Sequence, residues 1–203
     1  MADHESRSQH RDLVVAVEVE LAELGLDTPP GDYAFAAEIW QFEGARREET
    51  IRAFFVPVCN GEPIGGETGF DLVNGLRSQT RDWVDIGRCL PDKAAAADLL
   101  EGAKAALVRQ FREARRVFQA ENADRIRIQR ESLARHLQRR IGKLEAAMQR
   151  VADSHRANYQ RMADGQIRDL RQKHEVAVAG LDQREQPSVT RGGLISGFVR
   201  IRG

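Results

Sequence analysis

The spacing of hydrophobic positions changes twice along this chain. Over residues 11–24 apolar side chains fall at Leu13, Val14, Val17, Leu21 and Leu24, the three- and four-residue steps of a helix, and Gly25 stops the run before the breakers at 28–31. From 33 to 42 the spacing shortens to that of a strand, with Tyr33, Phe35, Ala37 and Ile39 on one side. A similar run at 50–58 follows a polar connector at 43–49, so the two are expected to form an antiparallel pair. Asn60-Gly61 then predicts a turn into a third short strand or a loop.

Residues 92–186 contain no proline, and most of them return to three- and four-residue spacing among Arg, Gln and Glu. One straight helix of that span would measure roughly 140 Å, so the run is expected to fold back on itself. Leu100, Leu107, Phe111, Ala114 and Phe118 make a first stripe; the pattern loosens at 121–124. It resumes with Leu133, Leu137, Ile141, Leu144, Met148 and Val151, and returns with Tyr159, Met162, Ile167, Leu170, Val178 and Leu181. A bend at Asp153 and Ser154 sets Leu137 opposite Leu170 and Met148 opposite Tyr159 in arms of equal length, whereas a bend at Gly165 pairs the layers poorly. Residues 194–201 read as a final strand returning to the edge of the head sheet.

The expected fold is α+β: a small mixed head with an antiparallel β-hairpin, a long antiparallel helical hairpin forming a coiled-coil arm, and a closing C-terminal strand. Its parts are a disordered start at 1–10, the head at 11–90 and a connecting helix at 91–124 packed on that head. The helical hairpin occupies 125–186 with its turn near 152–155, and the tail 187–203.

The formal charge is zero over 203 residues, but residues 1–100 hold 9 basic and 19 acidic side chains and the remainder 22 and 12, opposite poles of −10 and +10. On the helical run the excess includes Arg135, Arg139, Arg140, Lys143, Arg156 and Arg161, near the outer half of the hairpin. A solvated helix face with pairs such as Glu131 to Arg135 accounts for many such stripes, and a surface for phosphate or an acidic partner is the functional alternative. Tyr159 is the sole aromatic between Phe118 and Phe198, so nucleic-acid contact would be made to the backbone and not by stacking. Trp40 and Trp83 are read as core anchors.

Candidate chemistry is sparse. The segment GEPIGGET at 61–68 has the glycine spacing of a phosphate-binding loop, but Glu67 stands where lysine belongs and no helical pattern follows, so it is read as a connector. Cys59 and Cys89 lie far apart, and the five histidines form no ligand pair. His136 and His174 fall near the hairpin seam, where a hydrogen-bonded structural role is expected. No metal, cofactor or catalytic set is expected. No apolar stretch is long enough for a membrane span and the opening MADHESRSQH lacks a secretory apolar core, so the expected location is cytoplasmic.

The order of parts, YAFAAEIWQFEGARREETIRAFFVPV, a long helix, RIRIQRESLARHLQRRIGKLEAAMQR, its return RMADGQIRDLRQKHEVAVAGLDQRE and LISGFVRI, resembles the non-catalytic C-terminal region of bacterial SWI/SNF-like helicases. That group includes RapA-related enzymes and helicases of phage-defence clusters, and the phrases LQRRIGKLE and GQIRDL carry the likeness. Motor motifs are absent here, so the resemblance implies a non-enzymatic module, either an accessory region separated from its motor or a free-standing subunit that meets a helicase or polymerase-type protein in trans, with non-specific DNA as a further partner. The alternative is a structural coiled coil that self-associates through Phe118, Ile126 and Ile128. An enzyme built on the glycine-rich segment ranks last.

Overall fold

The computed structural model describes residues 13–90, 92–151 and 153–203, with side chains except at 13, 14, 79 and 153–156. The disordered start expected at 1–10 lies outside these residues. In chain order the elements are β1 (Leu13–Glu20), α1 (Leu21–Leu24), β2 (Gly31–Glu43), β3 (Arg47–Pro57), α2 (Gly66–Gln79), β4 (Arg81–Asp82), α3 (Ile86–Cys89), α4 (Lys93–Gln149), α5 (Asp153–Glu185) and β5 (Ser188–Arg202). The α+β class is as expected. The described residues divide into two bodies, one within 13–42, 48–116 and 189–203, the other within 43–47 and 117–188.

The first body is a five-stranded sheet in the order β3-β2-β5-β1-β4 with helices. Asp32 meets Val58 at one end of the β2-β3 pair and Gln41 meets Glu49 at the other, the reversed order of an antiparallel hairpin. Likewise Arg200 bonds Asp32 while Arg191 bonds Glu38, so β5 runs antiparallel to β2. On its other side β5 pairs with β1 in parallel, from Leu13 opposite Ile195 to Glu20 opposite Arg202.

Two expectations fail here. Residues 13–20 form a strand and not a helix, because Val15, Val17 and Val19 alternate on one face and pack into the same core cluster. Only residues 21–24 are helical, and Gly25 closes that turn in the left-handed conformation at φ 61°. The second failure is the place of the last strand, which lies in the middle of the sheet and not at its edge. Residues 196–199 are buried without alternation, as a central strand covered on both faces requires.

Both faces of the sheet are covered. Tyr33, Phe35 and Ala37 join Phe55, Leu72, Val199 and Ile201 in one cluster, and Ala34 joins Trp83 and Phe198 in another that includes Leu99 and Leu100 of α4. The cover on the Tyr33 side ends before Ile39, which is exposed; beyond it Trp40 and Phe42 turn to the opposite face and meet Phe111 at 5.2 and 6.2 Å between ring centroids. Trp40 and Trp83 are buried, the anchoring role expected of them. Glu38 is buried too, and its carboxylate accepts bonds from the Nε and Nη2 of Arg191 and from the Trp40 indole. That satisfies a charge whose isolation inside the body would be costly.

The glycine-rich segment also departs from expectation, since α2 begins directly after it, at Gly66. Glu67 nonetheless occupies the first turn, and Ile64 is tied to Phe55 by paired backbone hydrogen bonds. A Cβ on Gly65 would lie 2.6 Å from both the Gln110 amide and the Phe54 ring, so protein packs closely on the residue before the helix, while Gly66, Glu67 and Thr68 of its first turn are exposed.

Candidate polyanion-binding surface

The second body is built on the outer part of α4, which runs without a break through residues 121–124, and on α5, which follows a turn at Arg150 and a bend at Val151. Asp153 and Ser154, the expected bend, already belong to α5, and Ala152 lies outside the described residues. Leu133, Leu137, Ile141, Leu144 and Met148 are partly buried along α4, as are Tyr159, Ile167, Leu170 and Val178 along α5. Met162, expected in that seam, is exposed, and Ala163 is fully buried in its stead. One residue of offset turns the stripe by about 100°, so a small residue at the seam escapes a search for large apolar ones.

The base of the hairpin is fastened by polar contacts. Asn122 is 2% exposed; its Oδ1 accepts from the Ala45 amide at 2.6 Å, and its Nδ2 donates to the carbonyls of Arg184 and Glu185 at 2.9 and 3.2 Å. These are terminal carbonyls of α5, which have no partner within their own helix. Arg46 bonds Glu121 and lies over the Phe118 ring. Arg130 bonds Asp182 and Glu185 across the two helices, and its hydrogen bonds and charge hold the Glu185 carboxyl below the ordinary glutamate range. Phe118 and Ile126 are buried, so of the three positions proposed for self-association only Ile128 is open.

Beyond this base the electrostatics change. Residues 132–173 carry ten Lys and Arg but only four Asp and Glu, a net of +6, whereas the rest of this body carries six against seven. At the base of this body the described residues form ion pairs between Arg46 and Glu121, between Arg127 and both Asp124 and Glu131, and between Arg130 and both Asp182 and Glu185. The expected pair of Glu131 with Arg135 is not made, because Arg127 takes Glu131 at 3.1 Å. Arg135 is thereby left without a carboxylate among the described residues.

Arg135, Arg139 and Lys143 are exposed at i, i+4 and i+8, one row along α4, and Arg140 lies between that row and the seam. Arg135 and Arg139 share a shallow recess of about 480 Å³ with Ser132 and Gln138, and the Arg139 Nε donates to the Arg135 carbonyl. Arg140 and Lys143 line a separate groove of about 280 Å³ between the two helices, with Leu144, Gln166, Asp169, Leu170 and Lys173. Arg161 is apart from both recesses, its guanidinium bonded to the Asn158 side chain at 2.6 Å. The side chain of Arg156 lies outside the described residues. Four of the six candidates are thus gathered along one side of α4. Lys173, absent from that set, is the cation that the fold-back adds.

His136 is exposed, and His174 lies in the seam with a buried Nε2 that meets no hydrogen-bond partner among the described residues, contrary to the bonded role expected of it. Also among the described residues, no group of three or more His, Cys, Asp or Glu is placed to hold a metal, and no helix is long and apolar enough to cross a membrane. No protein-family model matches the sequence, and no curated protein matches it significantly.

Proposed function

We propose that this chain is a non-enzymatic interaction module of the cytoplasm whose helical hairpin binds nucleic-acid backbone through its outer half. The observation that carries the reading is the separation of charge within the hairpin. Carboxylates at the base are consumed by ion pairs, while Arg135, Arg139, Arg140 and Lys143 are exposed and without carboxylate partners among the described residues. An ordinary solvated face would interleave its charges as i,i+4 pairs; a surplus of one sign over several turns attracts a polyanion. Association beside a DNA-translocating helicase or a polymerase, as in transcription or phage defence, belongs to the same proposal and rests on the order of parts alone.

The test is to change Arg135, Arg139, Arg140 and Lys143 to Gln together and to titrate a duplex DNA of random sequence across salt concentrations. Each phosphate contact contributes a slope of about −0.9 in log K against log salt, so loss of all four should flatten the slope by between 3 and 4. The control changes Arg125 and Arg127 at the base. Equal effects of the two variants would remove the reading.

A further inference from the structure

The groove between α4 and α5 is assembled only when the hairpin closes, since Arg140 and Lys143 come from one helix and Lys173 from the other. Three cations and one carboxylate, Asp169, surround a floor formed in part by Leu144 and Leu170. None of the three cations forms an ion pair with a described residue, although Asp169 stands one helical turn from Lys173. The groove thus has a surplus of +2 and donors converging from two sides. A cluster of like charges facing one recess is self-repelling until an anion enters it.

We propose that this groove seats one phosphate group of a nucleic-acid strand, with Lys173 as a contact residue and Asp169 as the group that limits affinity. The inference rests on the backbone-binding reading above and adds the flank of the hairpin on which contact is made. A recess of about 280 Å³ between two helices admits a phosphate with part of its sugar but not the body of a duplex, whose remaining phosphates would then meet the Arg135 and Arg139 row. Binding across both helices also ties affinity to hairpin closure.

The decisive comparison uses two residues of one helix. Lys173 and Arg171 are both exposed and carry equal charge, yet two residues of separation place them about 200° apart around α5, on opposite flanks of the seam. Duplex DNA binding by the full chain is compared for Lys173→Gln and Arg171→Gln, and for Asp169→Asn against Asp164→Asn. Lys173→Gln should weaken binding about fivefold near 0.15 M salt and flatten the salt slope by about one, the effect of one lost counterion-releasing contact. Asp169→Asn should strengthen binding by a similar factor, and the two controls should each change it less than twofold. Equal losses in Lys173→Gln and Arg171→Gln would overturn the groove while leaving the polyanion reading standing. Failure of the unsubstituted chain to bind DNA would overturn both, and binding of polyglutamate in preference to DNA would overturn the choice of nucleic acid.

Discussion

Replacing Asn122 with Ala removes the contact that joins three segments of the second body: the turn at 44–46, the middle of α4 and the end of α5. The side chain makes one accepted and two donated hydrogen bonds, at 2.6, 2.9 and 3.2 Å. A neutral hydrogen bond contributes about 0.5–1.5 kcal/mol net, and a buried partner left unpaired costs about 1–3 kcal/mol. Ala45 is half-buried, so its amide keeps part of that penalty, whereas Arg184 and Glu185 are exposed and water can replace the lost donor there. The sum is about 2–3 kcal/mol, nearer the lower figure if both carbonyls rehydrate fully. With an m-value of about 2 kcal/mol/M, the urea midpoint should fall by roughly 1 M. Both tryptophans belong to the first body, so their fluorescence follows that body, while circular dichroism at 222 nm also reports the hairpin. The variant should shift the dichroism transition to lower urea than the fluorescence transition and expose the Ala45 amide to hydrogen exchange. An unchanged dichroism midpoint with Ala45 still protected would refute the clamp.

Other outcomes follow from the same geometry. Arg191→Ala leaves the buried Glu38 carboxylate without its cation, held by the Trp40 indole, and should cost about 2–4 kcal/mol in urea unfolding read by tryptophan fluorescence, below the full penalty for a buried pair because Arg191 is one-third exposed and the indole bond remains. Glu185 titrates lower in the folded state than its usual value of 4.5, so its contribution is complete above that pH and is lost as pH falls through the lowered value; NMR titration should show this, and Arg130→Gln should return the midpoint towards 4.5. Gly69→Ala should destabilise although alanine favours helices, since its Cβ would lie 2.5 Å from the Ala53 carbonyl oxygen; Gly142→Ala, with nothing within 4 Å, should stabilise by about 0.5–1 kcal/mol. A thermal melt in which Gly69→Ala gains stability would contradict the packing of α2 on β3.

The hairpin was legible in the sequence because its layers repeat at short range: the spacing from Leu133 to Met148 and back from Tyr159 to Leu181 fixes two arms and places the turn within a few residues. The central position of β5 was not, because its neighbours β1 and β2 lie more than 140 residues away and no local pattern records which strand it joins. Around β1 the apolar steps at Leu13, Val17 and, in α1, Leu21 satisfied a helical period, while Val15, Val17 and Val19 satisfied a strand period at the same time; packing into the sheet core decided between them. Asn122 was invisible for another reason. Its position interrupted the apolar stripe, and a polar residue that bonds two distant segments looks in sequence like a weak point. Similarly, the cations of α4 could be placed on one row by counting, but their meeting with Lys173 depends on the register of the two arms.

The central claim is that the outer half of the hairpin holds a phosphate backbone, and the salt dependence of duplex DNA binding by the unsubstituted chain tests it most directly. Contacts from Arg135, Arg139, Arg140, Lys143 and Lys173 predict a slope of log K against log salt of about −4 to −5, the same for unrelated DNA sequences. Binding that is absent at low salt, or that has a slope near zero, would contradict the account.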